Sequence, residues 1–137
     1  MLPAQLNEEL AELRKTFRVE VAEEASTINV VIFDFPTSPL YNLPRTRVLI
    51  RVPRAYPDAG LDMFWTDTDL KLVDGSTPNG ADQIESYPVT GQIPELAGKT
   101  WRRFSWHPQP GTPNRWNPAV DNIVSYTEFI RRRLSQR

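Results

Sequence analysis

Apolar positions along the chain follow first helical, then extended, then helical spacing. Leucines and a phenylalanine at three- and four-residue intervals predict an amphipathic helix over Pro3–Thr16, with Pro3 suited to its first turn. Alternating or β-branched apolar residues then predict four strands, at Phe17–Val21, Ser26–Phe33, Arg45–Val52 and Leu61–Thr66. In the third strand Val48, Ile50 and Val52 share one face, which is typical of a half-buried antiparallel strand.

The second half of the chain is less regular. From Asp67 to Gly98 glycines and prolines interrupt the pattern, so we expect a long irregular segment that is functional or holds short pieces of structure. Thr100–Ser105 reads as a short extended segment. A helical apolar stripe follows from Pro118, with Asn117 as the expected N-cap; it comprises Val120, Ile123, Val124, Thr127, Ile130 and Leu134. Helices flanking a four-stranded antiparallel meander predict one α+β domain over residues 1–137.

Composition narrows the class of protein. With 39% hydrophobic and 24% charged residues among 137, the chain has the make-up of a globular domain with its own core. No apolar run is long enough to span a bilayer, and the N-terminal segment lacks signal-peptide features, so we expect a cytoplasmic protein without membrane partners. One histidine and no cysteine argue against a structural zinc site or a disulfide framework, and Asp67, Asp69 and Asp74 lack EF-hand spacing. We expect no metal and no cofactor.

Charge is unevenly distributed, although the net charge is only −1. Residues 1–98 carry 8 Lys+Arg and 15 Asp+Glu (−7), whereas residues 99–137 carry 8 and 2 (+6). The basic segment either faces an acidic partner or complements the acidic part within the fold. A pI near 5.8 argues against nucleic-acid binding.

Chemistry-bearing residues concentrate between Trp101 and Pro118. This stretch holds three of the four tryptophans and the only histidine, His107, with Ser105 two residues before it. In an extended segment these two side chains would share a face. An imidazole can remove a proton from a serine hydroxyl, which is otherwise a weak nucleophile. The alternative is a loop in which both residues are turn formers or surface groups.

Two short motifs carry a family resemblance. Tyr56-Pro57 lies between the third and fourth predicted strands, and Trp116-Asn117-Pro118 directly precedes the last predicted helix. In this order and spacing they resemble the tyrosine-proline turn and the Trp-x-Pro motif of the ubiquitin-conjugating (E2) superfamily. The chain is most similar to divergent bacterial E2-like proteins. The resemblance covers roughly residues 3–135 and implies a UBC-like fold in which the long irregular segment is the active-site segment.

The chain departs from the superfamily at its reactive centre. The nucleophilic cysteine is missing. The His-Pro-Asn tripeptide is matched only in part, by Thr77-Pro78-Asn79, which lies far upstream of Trp116. In the family the nucleophile lies about ten residues before the Trp-x-Pro motif, and Ser105 is eleven residues before Trp116. The resemblance therefore implies an oxyester carrier with Ser105 as nucleophile, His107 as base and Asp121 as the group that orients the imidazole.

The resemblance also implies partners, namely an E1-like activating enzyme, a ubiquitin-like protein and a deconjugating protease encoded nearby. The expected E1 contacts lie on the polar face of the N-terminal helix: Glu8, Glu9, Glu12 and Arg14. Arg102 and Arg103 are candidates for stabilising an oxyanion or binding an acidic surface, or are solvated charges. Trp106 and Trp116 either anchor the loop or form a recognition surface. Two alternatives stay open: an inactive E2 variant that binds its partners non-covalently, and an E2-like scaffold used for another interaction.

Overall fold

A six-stranded sheet with helices on one face forms the framework of the protein. The structure, a computed structural model, describes residues 2–107 and 115–137. Within those ranges the helices are α1 (Ala4–Leu13) and α2 (Ile123–Arg133). The strands are β1 (Val19–Glu23), β2 (Thr27–Pro36), β3 (Arg45–Pro53), β4 (Phe64–Asp67), β5 (Gln83–Ser86) and β6 (Thr100–Phe104). Two 3₁₀ helices, Pro88–Gln92 and Pro94–Leu96, connect β5 to β6. The predicted α+β class is confirmed.

All neighbouring strands are antiparallel, in the order β1-β2-β3-β4-β6-β5. The meander of four consecutive strands is confirmed, but a sheet of four strands is wrong, since β6 pairs with β4 and β5 pairs with β6. The pattern missed β5 because this edge strand buries little, and its Ile84 is 44% exposed. The short extended segment at Thr100–Ser105 is β6, which ends one residue earlier.

Both faces of the sheet are covered. On one face α1 and α2 pack against apolar side chains of β2 and β3, including Val48, Ile50 and Val52. On the other face Leu49 and Trp101 lie in a second cluster that Ile93 and Leu96 of the 3₁₀ segment close. Strand β3 is therefore buried on both faces rather than half-buried. The irregular segment before β6 acts at least partly as a cover for the sheet.

The last helix begins later than its sequence pattern predicts. Asn122, not Asn117, is the N-cap: its side chain accepts a hydrogen bond from Ser125 N, and Ser125 Oγ accepts one from Asn122 N, which makes a capping box. Asn117 instead starts a separate turn, in which its side-chain oxygen accepts from Ala119 N. Val120, placed on the buried stripe by the pattern, is 69% exposed because it lies in this turn. No helix among the described residues has the length and apolarity to cross a bilayer.

Candidate functional site

The two motifs that carry the family resemblance contact each other. Trp116 Nε1 donates a hydrogen bond to the Pro57 carbonyl at 3.0 Å, and the Tyr56 and Trp116 ring centroids are 6.0 Å apart. The Tyr56-Pro57 bond is cis. Gly60 permits this approach, because a Cβ there would lie only 2.4 Å from Trp116 Cγ. The residues before α2 are therefore fixed against the β3–β4 connection.

The Tyr56 hydroxyl links both helices to this contact. It hydrogen-bonds the Glu9 carboxylate of α1 and accepts a bond from Ile123 N at the start of α2, at 2.8 Å. Burial raises the pKa of Tyr56, and the hydrogen bond to Glu9 acts in the same direction. Glu9, predicted as an E1 contact, thus has a role inside the fold.

Ser105 lies directly after β6, on the wall of an open groove. Its amide donates to the Gly80 carbonyl at 2.9 Å, and Trp106 N donates to Phe104 O at 2.9 Å, which closes a tight turn centred on Ser105. The serine is exposed. The groove has a volume of about 400 Å³ and is lined by Asn79, Gly80, Ser105, Trp106, Arg133, Gln136 and Arg137. A hydroxyl at this position is open to a second molecule.

His107 is paired with a residue that the sequence pattern did not single out. Its Nδ1 lies 2.5 Å from Asp62 Oδ1, and both side chains are about half exposed. Within the described residues no hydrogen bond joins the imidazole to the Ser105 hydroxyl. The expectation that the two side chains share a face assumed an extended segment, whereas the backbone turns at Ser105. Their catalytic roles stay predictions.

The Asp121 carboxylate has its hydrogen-bond partners in the turn before α2. Its carboxylate accepts hydrogen bonds from Asn117 N at 2.8 Å and from Ser125 Oγ at 3.4 Å. Asp121 therefore stabilises the turn that leads into α2, and its predicted role in orienting His107 stays a prediction. The carboxylate within hydrogen-bond distance of the His107 ring is that of Asp62.

The predicted partner-binding arginines have different environments. Arg102 is 5% exposed; its guanidinium donates to the carbonyls of Thr68 and Ala81, and burial lowers its pKa. These bonds satisfy guanidinium donors of Arg102 inside the protein, and its role in partner binding stays a prediction. Arg103 is partly exposed and pairs with Glu85 at 3.2 Å.

Three of the four residues predicted as E1 contacts lie on the exposed side of α1 or directly after it. Glu8, Glu12 and Arg14 are exposed. Glu12 forms a surface ion pair with Lys15 at 2.9 Å, and Arg14 Nε donates to Val19 O at 3.3 Å. Exposure permits partner binding without testing it, so the assignment of an E1 contact stays a prediction.

Trp106 and Trp116 both pack against the main core and are partly buried. The Trp106 ring lies 5.6 Å from the Phe129 ring and 5.7 Å from the Arg133 guanidinium. These contacts favour a role as anchors of the segments on either side of residues 108–114. Those seven residues belong to the stretch between Trp101 and Pro118 and lie outside the described residues.

Asn79 is a second residue whose position the sequence did not reveal. The backbone carbonyl of Asn79 accepts a hydrogen bond from Arg133 Nη2 at 2.7 Å, and its backbone N–H donates to Arg137 O at 3.1 Å. These bonds hold Asn79 and Gly80 beside Ser105, although 26 residues separate Asn79 from Ser105 in the chain. The described residues contain no group of three acidic or histidine side chains placed to hold a metal ion.

The fold and site define a small α+β protein with an exposed hydroxyl at the end of a sheet strand. A family model described as prokaryotic E2 family E matches residues 2–137, and the chain belongs to this family. Comparison with curated proteins and with solved structures gave no match. Membership indicates an E2-like, transferase-type role in ubiquitin-like protein conjugation, with an E1-like enzyme and a ubiquitin-like protein as general partners.

Proposed function

We propose that this protein has a UBC-like fold and carries the C-terminus of a ubiquitin-like protein as an oxyester on Ser105. In the loading step Ser105 Oγ attacks the carbonyl carbon of the thioester on the E1-like enzyme. The new C–O bond replaces the C–S bond. The serine proton passes to the His107 imidazole and from there to the departing thiolate. An acceptor nucleophile then releases the acyl group from Ser105.

The observation that carries this proposal is the exposed Ser105 hydroxyl on the groove wall. It follows β6 directly and precedes Trp116 by eleven residues, which is the spacing expected of an E2 nucleophile. The hydroxyl needs a base, and His107 is the only histidine in the chain. Catalytic hydrogen bonds often tighten only when substrate is bound, so the proposal requires Ser105 and His107 to come within hydrogen-bond distance in the loaded complex.

The groove also offers a donor for the negative charge that develops on the carbonyl oxygen. Asn79 is exposed, lines the same groove as Ser105, and belongs to the Thr77-Pro78-Asn79 sequence. We assign its side-chain amide this role, because pre-placed amide donors stabilise oxyanions in acyl transfer. Arg133, which holds the Asn79 carbonyl, acts as structural support.

The experiment is a loading assay with the cognate E1-like enzyme, ATP and the ubiquitin-like protein. We expect an adduct that resists thiol reductants, is cleaved by hydroxide and is absent in Ser105→Ala. The matched control is Ser26→Ala, an exposed serine next to β2, which should load normally. A hydroxide-labile adduct that persists in Ser105→Ala would refute the assignment.

A second candidate function is non-covalent binding by an inactive E2 variant. The observation that favours it is that, within the described residues, no hydrogen bond joins His107 to the Ser105 hydroxyl. This function predicts no adduct under any condition. It also predicts equal affinity of wild type and Ser105→Ala for the ubiquitin-like protein or the E1-like enzyme, measured by calorimetry.

A further inference from the structure

Asp62 and His107 are brought together by the pairing of two strands. Phe64, the first residue of β4, is opposite Phe104, the last residue of β6. Antiparallel pairing therefore places the residues before β4 beside those after β6. Met63 N continues this contact by donating to Trp106 O at 3.1 Å. The Asp62 carboxylate and the imidazole meet at this end of the sheet, with 2.5 Å between Oδ1 and Nδ1.

The backbone that carries Asp62 is held in an unfavourable conformation. Met63 has φ of +58°, in the left-handed region that a residue with a long side chain seldom adopts. Such a conformation persists only where surrounding contacts impose it, and it is often found at functional sites. Here the buried Tyr126 of α2 donates its hydroxyl to Met63 O at 2.8 Å. Contacts from Trp106, which follows β6, and from α2 thus fix the segment that presents the carboxylate.

We propose that Asp62 is the positioning residue for His107. The Asp62 carboxylate can only accept a hydrogen bond, so the neutral imidazole must carry its proton on Nδ1. The lone pair on Nε2 is then free to accept a proton. In serine hydrolases a carboxylate likewise holds the catalytic histidine in the required tautomer, and the wrong tautomer abolishes most of the activity. The use of Nε2 as the base for Ser105 rests on the proposed function, whereas the Asp62–His107 pairing does not.

The single histidine allows the pairing to be tested without any partner protein. In ¹⁵N-labelled protein, at a pH where the ring is neutral, the imidazole nitrogen shifts report the tautomer directly. We expect the Nδ1–H form to dominate in wild type and the Nε2–H form to gain population in Asp62→Ala. Asp58→Ala removes an exposed carboxylate from the same connection and should leave the spectrum unchanged. A wild-type ring in the Nε2–H form, or identical spectra for wild type and Asp62→Ala, would overturn the inference.

A kinetic measurement separates this inference from the proposed function. We expect Asp62→Asn to lower the rate of Ser105 loading on the order of tenfold, less than the 10²–10⁴-fold contribution of a general base. The apparent KM for the charged E1-like enzyme should not change, and Asp62→Glu should restore part of the rate. If wild type forms no adduct but shows the Nδ1–H tautomer, the proposed function fails and the pairing stands. Normal loading by Asp62→Asn with the tautomer changed would overturn the positioning role.

Discussion

The contact between Gly60 and Trp116 makes a quantitative prediction about how the site is held. An alanine at position 60 would place its Cβ 2.4 Å from Cγ, 2.7 Å from Cδ1 and 2.9 Å from Cβ of Trp116. These atoms form the root of the indole side chain, so the ring cannot avoid the clash by a small rotation at its tip. The indole must move, and its hydrogen bond to Pro57 is then lost.

The expected cost follows from these two effects. Overpacking a close contact costs about 1–3 kcal/mol, and the lost hydrogen bond adds about 1 kcal/mol. We expect Gly60→Ala to lower the free energy of unfolding by about 2–4 kcal/mol. At about 4 °C per kcal/mol for a chain of this size, Tm falls by about 8–16 °C.

Urea denaturation followed by tryptophan fluorescence measures this loss. Gly91→Ala is the matched control, because its new Cβ would lie an ordinary 3.7 Å from Ala97 Cα. We expect Gly91→Ala to be neutral or stabilising. In a Trp116→Ala background most of the cost of Gly60→Ala should vanish, which a double-mutant cycle detects. Ordinary surface substitutions change the free energy of unfolding by less than about 0.5 kcal/mol. A loss that small for Gly60→Ala in the wild-type background would refute the reasoning.

Three further predictions concern the surroundings of the site. Asn122→Ala should destabilise the protein by about 1 kcal/mol through loss of the helix cap, and Asn117→Ala by less, as measured by urea denaturation. Tyr56→Phe should cost about 1–3 kcal/mol, because the Ile123 amide loses the nearer of its two acceptors, keeping only Glu9 Oε1 at 3.2 Å, and the Glu9 carboxylate loses the hydroxyl donor; an unchanged urea midpoint would contradict this. Hydrogen bonds from Ser76 and an ion pair lower the pKa of Asp74 to about 2, so its contribution to stability is present above pH of about 4 and is lost as pH falls through 2. A carboxyl NMR titration of Asp74 with an ordinary midpoint near pH 3.8 would contradict that environment.

The sequence predicted those parts of the fold in which one face of an element is buried. Regular spacing in α1 and alternation in β3 follow directly from burial against the sheet and the helices. The spacing of apolar residues does not predict β5, because this exposed edge strand has no buried apolar face. It also misplaces the start of α2, since Asn117 and Asn122 are equally good capping residues and only the fold selects between them.

The site was predictable only where its residues are close in the chain. Ser105 and His107 could be proposed from the sequence because they are two residues apart in an aromatic segment. Asp62 and Asn79 reach the same region through strand pairing and through hydrogen bonds from the end of α2, and no local pattern encodes such contacts. Asp121 was predicted from its closeness to the Trp116 motif, and the structure shows its carboxylate hydrogen-bonded within the turn before α2.

The most direct test of the central claim is a change in the chemistry of the bond at position 105. Ser105→Cys should convert the adduct with the ubiquitin-like protein from a hydroxide-labile, thiol-resistant ester into a thioester that dithiothreitol cleaves. Intact-mass measurement before and after each treatment gives the answer for wild type and variant. The account predicts this switch in lability. An adduct with the same lability in both proteins, or no adduct in either, would contradict it.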